Sequence, residues 1–178
     1  VPGDQLELSR TPAAGRADAA DAATGAGSGR ESDRFPPLLR ITRTLRFGLD
    51  WQIETRVERL SPADGPVSLR LALIEGESVT TDAVRVNAAG ALIALGPRQR
   101  AMRWSSTLEA VDRLTLSASE DARFSEEWRL AVSPLWHLEA DGVPPVQATQ
   151  AETERLRVYR PWPGEQLTLR LWRPVGVP

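Results

Sequence analysis

The chain has 178 residues, a mass of 19.5 kDa, a net charge of −2 and a pI near 5.6, which is the size of one domain and lacks the basic footprint of a nucleic-acid binder. It has no cysteine and a single histidine, His137, which removes disulfide scaffolds, thiolate metal sites, cysteine nucleophiles and any site that needs two imidazoles. No stretch approaches the roughly 18 apolar residues that would span a membrane. All 22 basic residues are Arg, and with Ala so abundant this matches the codon bias of a high-GC bacterial genome. The chain starts at Val1 rather than Met, which reads as a piece of a longer protein.

Residues 1–10 predict a short strand, Gln5–Ser9, belonging to the main domain. From Thr11 to Pro37 there is one aromatic residue and no aliphatic residue larger than Ala. Such a segment buries too little apolar surface to offset its ordering entropy, so a disordered loop or linker is expected over 11–37. The domain proper then spans 38–178.

After Pro37 the pattern becomes period two. Leu39, Ile41, Leu45, Phe47, Leu49, Trp51, Ile53 and Val57 occupy odd positions, with polar or charged residues between them. Alternation places one set on each face of a strand. Arg43 and Thr55 break the rule. Thr suits a strand; Arg43 is expected to mark where the apolar face runs out to solvent. Gly48 and Asp50 predict a bend or bulge dividing one long strand. The SPADGP turn at Ser61–Pro66 follows. Val67, Leu69, Leu71 and Leu73 alternate in the next strand, and Asn87–Gly90 predicts a hairpin between Val84–Val86 and Ala91–Leu95. Met102–Leu108 and Leu114–Ala118 also alternate. Glu127–Ser133, Leu135–Ala140, Arg155–Tyr159 and Gln166–Trp172 complete the strands. Ala110–Arg113 and Ala148–Glu154 are the only helical candidates. The expected fold is all-β, an antiparallel β-sandwich of about ten to twelve short strands with a long disordered loop. Leu45, Phe47, Trp51, Ile53, Leu69, Leu71 and Trp104 are its expected core.

Few residues suggest chemistry. His137, with Ser133 and Glu139, evokes a triad, but no nucleophile elbow accompanies it. A histidine on the polar face of a strand is the better reading. Glu120, Asp121, Glu126 and Glu127 offer carboxylates for a glycosidase, yet Glu126 and Glu127 must point to opposite faces. Surface charge explains them better. Arg40, Arg46 and Arg56 form a basic stripe next to Glu54 and Glu58, as expected of ion pairs on a solvated sheet face. The six tryptophans carry most information. Trp51, Trp104 and Trp128 share parity with aliphatic neighbours and belong in the core. Trp162, in a PWPG turn, and Trp172, opposite in parity to Leu167, Leu169 and Leu171, should be exposed. Trp162, Trp172 and His137 are therefore the candidate ligand-binding residues. No catalytic residue, metal site or cofactor is assigned.

The strings RITRTLRFGLDWQIETRVERL (Arg40–Leu60), ESVTT (Glu77–Thr81), WSSTL (Trp104–Leu108), WRLAVSPLW (Trp128–Trp136) and PWPGEQLTLRLWRPVGVP (Pro161–Pro178) carry a resemblance. Together they resemble large uncharacterised proteobacterial membrane proteins whose extracytoplasmic parts are consecutive β-rich domains followed by transmembrane helices. The resemblance implies a periplasmic or extracytoplasmic module of a membrane-anchored protein. Its implied partners are neighbouring domains of the same polypeptide or other envelope proteins, with no nucleic acid and no direct membrane insertion by this segment. The expected function is that of a non-catalytic scaffold or protein-interaction domain, not an enzyme. A carbohydrate-binding module using exposed Trp is the alternative, with glycan as partner, and a β-sandwich glycoside hydrolase is the further one.

Overall fold

Alternation produces long strands here because each apolar row finds a second sheet to cover it. The computed structural model describes residues 36–62, 65–146 and 156–174. The Gln5–Ser9 strand, the 11–37 loop apart from Pro36 and Pro37, and the Ala148–Glu154 helical candidate lie outside those residues. Within them the chain is all-β, with thirteen strands. These are β1 (Leu39–Phe47), β2 (Trp51–Arg59), β3 (Val67–Leu71), β4 (Glu77–Val79), β5 (Arg85–Asn87), β6 (Gly90–Leu95) and β7 (Ala101–Leu108). Then follow β8 (Arg113–Ser117), β9 (Phe124–Val132), β10 (His137–Gly142), β11 (Pro145–Val146), β12 (Leu156–Tyr159) and β13 (Gln166–Trp172). Ala110–Arg113 forms no helix; it bends at Asp112 and enters β8 at Arg113.

A seven-stranded sheet runs β11-β12-β9-β1-β2-β7-β4. Two three-stranded sheets, β10-β13-β8 and β3-β6-β5, complete the fold. The expectation of an antiparallel sandwich needs one correction. β1 and β9 pair in parallel, Leu39 opposite Phe124 through Phe47 opposite Val132, so the large sheet is mixed. The expected bend at Gly48–Asp50 is a tight hairpin, with Phe47 directly opposite Trp51. Because the loop holds three residues, apolar parity passes through it unbroken, and Leu49 sits at its tip with 78% exposure instead of on the apolar face.

The odd face of β1 and β2 contributes to two hydrophobic clusters. Leu45, Phe47, Trp51 and Ile53 pack with Leu114, Leu116, Leu167, Leu169 and Leu171 of the β10-β13-β8 sheet. Leu39, Ile41 and Val57 pack with Leu69, Leu71, Ile93 and Leu95 of the β3-β6-β5 sheet. The seven residues expected in the core are all buried. Both small sheets thus cover one face of the large sheet, one beside the other.

The boundary between the clusters is polar. On each of four strands a buried polar side chain separates a member of one cluster from a member of the other. Glu126 lies between Phe124 and Trp128, Arg43 between Ile41 and Leu45, Thr55 between Ile53 and Val57, and Ser106 between Trp104 and Leu108. Arg43 therefore does not mark an exit to solvent. It is 5% exposed, pairs directly with Thr55, and donates from Nη2 to the carbonyl of Ala72 just beyond β3. A buried guanidinium needs such an acceptor. Glu126 accepts from the Ser119 N–H at 2.7 Å and from Trp128 Nε1–H at 3.1 Å. Ser106 donates its hydroxyl to Glu77 Oε1 at 2.8 Å, which carries the polar line to the sheet edge.

The opposite face of the large sheet is charged. Arg46 pairs with Glu54 at 3.6 Å and Arg56 with Glu58 at 2.6 Å, as expected of a solvated stripe.

Candidate functional site

At the hairpin end of the sandwich the chain crosses from the large sheet to a small one. β9 ends at Val132, and Trp136 N–H bonds to the Ser133 carbonyl at 3.1 Å, closing a turn that contains Pro134. This turn delays β10 to His137, two residues later than the alternation suggests, and turns Trp136 inward. Its indole Nε1–H donates to the Gly48 carbonyl at 2.8 Å and its ring meets Trp51 edge-on at 5.3 Å. The Arg173 guanidinium lies over the Trp136 ring, 4.8 Å from its centroid.

His137 opens β10 and Trp172 closes β13, and the two are direct cross-strand partners. Their rings stack, with centroids 5.6 Å apart and planes 22° from parallel. The fold thus joins two of the three candidate ligand residues. The third, Trp162, stands apart. It is 76% exposed in the β12–β13 turn, where its N–H bonds to Glu165 Oε2 at 2.8 Å.

Beside the stack opens a cleft of about 860 Å³, within the usual range for ligand sites. Arg46, Gly48, Ser133, Trp136, His137 and Arg157 are among its lining residues, and no lining residue is acidic. Arg157 donates to the Leu138 carbonyl at 3.3 Å. Among the described residues neither Arg157 nor Arg173 forms an ion pair, whereas Arg46 is shared with Glu54. Exposed Leu49 tips the hairpin that contributes Gly48, and Trp172, 42% exposed, stands next to His137. The result is a cleft in which Arg46 and Arg157 stand among apolar side chains such as Val132, Pro134 and Leu138.

The triad residues do not assemble. Ser133 and His137 line this cleft, but Glu139 lines a neighbouring one of about 570 Å³. No hydrogen bond among the described residues links the three, and Ser133 Oγ instead accepts from the Leu135 N–H at 3.4 Å. Glu126 faces the core with both oxygens engaged. Glu127 faces the other way, bonded by Arg129 at 2.7 Å and Arg160 at 2.8 Å. Burial alone would raise the Glu127 carboxyl; the hydrogen bonds and charges of Arg160 and Arg129 outweigh it and hold the group below the ordinary carboxylate value. Asp121 is likewise lowered, by its hydrogen bond from Arg123.

Sequence reasoning missed Arg157, Arg173, Trp136 and Leu49 as site residues. The doublets Trp136-His137 and Trp172-Arg173, each an aromatic ring followed by a cationic or titratable side chain, were the available signal. Among the described residues no group of three His, Asp or Glu side chains is placed to hold a metal ion, and no helix is long and apolar enough to cross a membrane. No protein-family model matches the sequence, and no curated protein matches it.

Proposed function

We propose that the chain is a non-catalytic β-sandwich module of a larger, membrane-anchored envelope protein, outside the cytoplasm, and that it serves as a protein-interaction domain. Its working surface is the cleft at the hairpin end. The carrying observation is the cleft's make-up: among the described residues it is lined by Arg46 and Arg157 and by no carboxylate, and exposed Leu49 and Trp172 adjoin its lining residues Gly48 and His137. Interface centres favour such aromatic and Arg side chains. The resemblance to extracytoplasmic β-rich domains supports the location and the choice of neighbouring domains or envelope proteins as partners. The non-catalytic reading is supported by the engagement of Glu126 in the core and the separation of Ser133, His137 and Glu139 between two clefts.

A photo-reactive residue at Leu49, expressed in the native cell, should cross-link to one defined envelope protein or to another domain of the same polypeptide. The same probe at Val86, an exposed position on β5, should not. Equal labelling from both positions would overturn the proposal. Glycan binding is the second reading, favoured by one observation, the solvent-facing ring of Trp162. A fluorescence change on glycan titration that Trp162→Ala removes would establish it.

A further inference from the structure

We infer that the cleft recognises an acidic peptide segment, an extended stretch carrying Asp or Glu side chains or a chain-terminal carboxylate. This rests on the interaction-module reading and names the partner's chemistry. Charge complementarity is the first reason. Arg157 uses one donor on the Leu138 carbonyl and keeps the rest of its fork, and Arg173, beside the lining rather than part of it, lies over the ring of lining residue Trp136. A planar guanidinium restrained in this way loses little freedom when it meets a carboxylate, and its two parallel N–H groups match the two oxygens. His137 and the Ser133 hydroxyl add further donors at the same wall. Among the described residues no acid lines this cleft, and Arg157 is shared with the neighbouring cleft that holds Glu139 and Asp141.

The aromatic rings decide between peptide and sugar. A sugar ring needs an open aromatic face. Trp136 has Arg173 over its ring, Trp51 against it and its N–H committed to Gly48. Trp172 has His137 stacked on one face of its ring and does not line the cleft. What remains at the border is aliphatic Leu49 and the outer part of Trp172, which reward an apolar side chain rather than hydroxyls. An acidic segment with an apolar neighbour satisfies both parts of the surface.

The test is fluorescence anisotropy on the purified 178-residue chain with a labelled hexaglutamate peptide, a hexaglutamine peptide and an oligogalacturonate of equal charge. Hexaglutamate should bind and hexaglutamine should not. Raising salt from about 0.01 M to about 0.1 M, which shortens the screening length from about 30 Å to about 10 Å, should weaken binding severalfold. The Arg157→Gln/Arg173→Gln double variant should bind about tenfold more weakly while its far-ultraviolet circular dichroism stays that of the folded parent, because both side chains are exposed. Arg85→Gln/Arg103→Gln, which removes two cations outside the cleft, should bind like the parent. Equal binding by the two double variants would overturn the inference, as would tighter binding of the galacturonate. Absence of hexaglutamate binding while Leu49 still cross-links would reject the acidic partner and leave the interaction module standing. Loss of the Leu49 adduct itself would reject both.

Discussion

Two buried side chains that look like errors in the pattern set the character of the interior. Arg43 and Thr55 interrupt the apolar alternation on neighbouring strands, and they face each other across the β1–β2 ladder. Each marks the border between two hydrophobic clusters, so a polar line replaces what would otherwise be one continuous core. Glu126 continues that line and accepts two hydrogen bonds there. Replacing it with Ala strands the Ser119 N–H and the Trp128 Nε1–H in the interior. Two such losses should cost about 2–4 kcal/mol. Glu126→Gln keeps the volume and one acceptor and should recover roughly half of that. Urea unfolding measures both; a loss under about 1 kcal/mol for the Ala variant would show that water replaces the carboxylate. A second residue of this kind is Gly90. It has φ near +109°, and a Cβ there would strike the Leu71 carbonyl of β3. Gly90→Ala should therefore destabilise by more than about 2 kcal/mol, with strain and clash adding.

At the scale of elements, local pattern and remote pairing part company. β13 matches Gln166–Trp172 residue for residue, and β1 with β2 follows the odd-position rule, because both signals depend only on neighbours along the chain. The parallel β1–β9 pair joins Arg43 to Trp128 across a long sequence separation, and no local pattern encodes which strands meet. The Gly48–Asp50 hairpin reads as a mere bend for a related reason: parity survives a three-residue loop, so the turn leaves no break in the alternation. The cleft is harder still. Its walls come from the ends of β1 and β9, the start of β10 and the middle of β12, and only folding brings them together. His137 and Trp172 were legible one at a time from exposure parity. Their stacking, and the company of Arg157 and Arg173, were not.

One contact between elements is open to a pH test. Glu127 on β9 binds Arg160 just past β12, holding adjacent strands together. Its folded pKa lies below the ordinary value of 4.5, so the unfolded chain takes up its proton first as pH falls. The stabilisation is thus complete above the unfolded pKa and is lost as pH drops through the folded one. Glu127→Gln should flatten the stability profile below about pH 4.5 and leave its shape unchanged at neutral pH. An unchanged acid limb in chemical denaturation would contradict this.

For the whole molecule, the two clusters share their scaffold. β1, β2, β7 and β9 each contribute to both, so neither cluster can open without exposing strands that belong to the other. Leu71→Ala, in the cluster under the β3-β6-β5 sheet, should cost about 2–5 kcal/mol, and so should Leu169→Ala in the other. Both variants should still unfold in a single transition in which tryptophan fluorescence and far-ultraviolet circular dichroism coincide. Separated transitions would show that the polar line divides the body into independent units. A scaffold that unfolds as one body also holds the cleft walls in fixed relation, which a binding surface requires. The most direct measurement of that surface is the cross-link from Leu49 repeated in an Arg157→Glu/Arg173→Glu background. The adduct should disappear while the far-ultraviolet circular dichroism of the domain stays that of the folded parent. An adduct of undiminished yield would contradict the assignment of this cleft as the place where the partner binds.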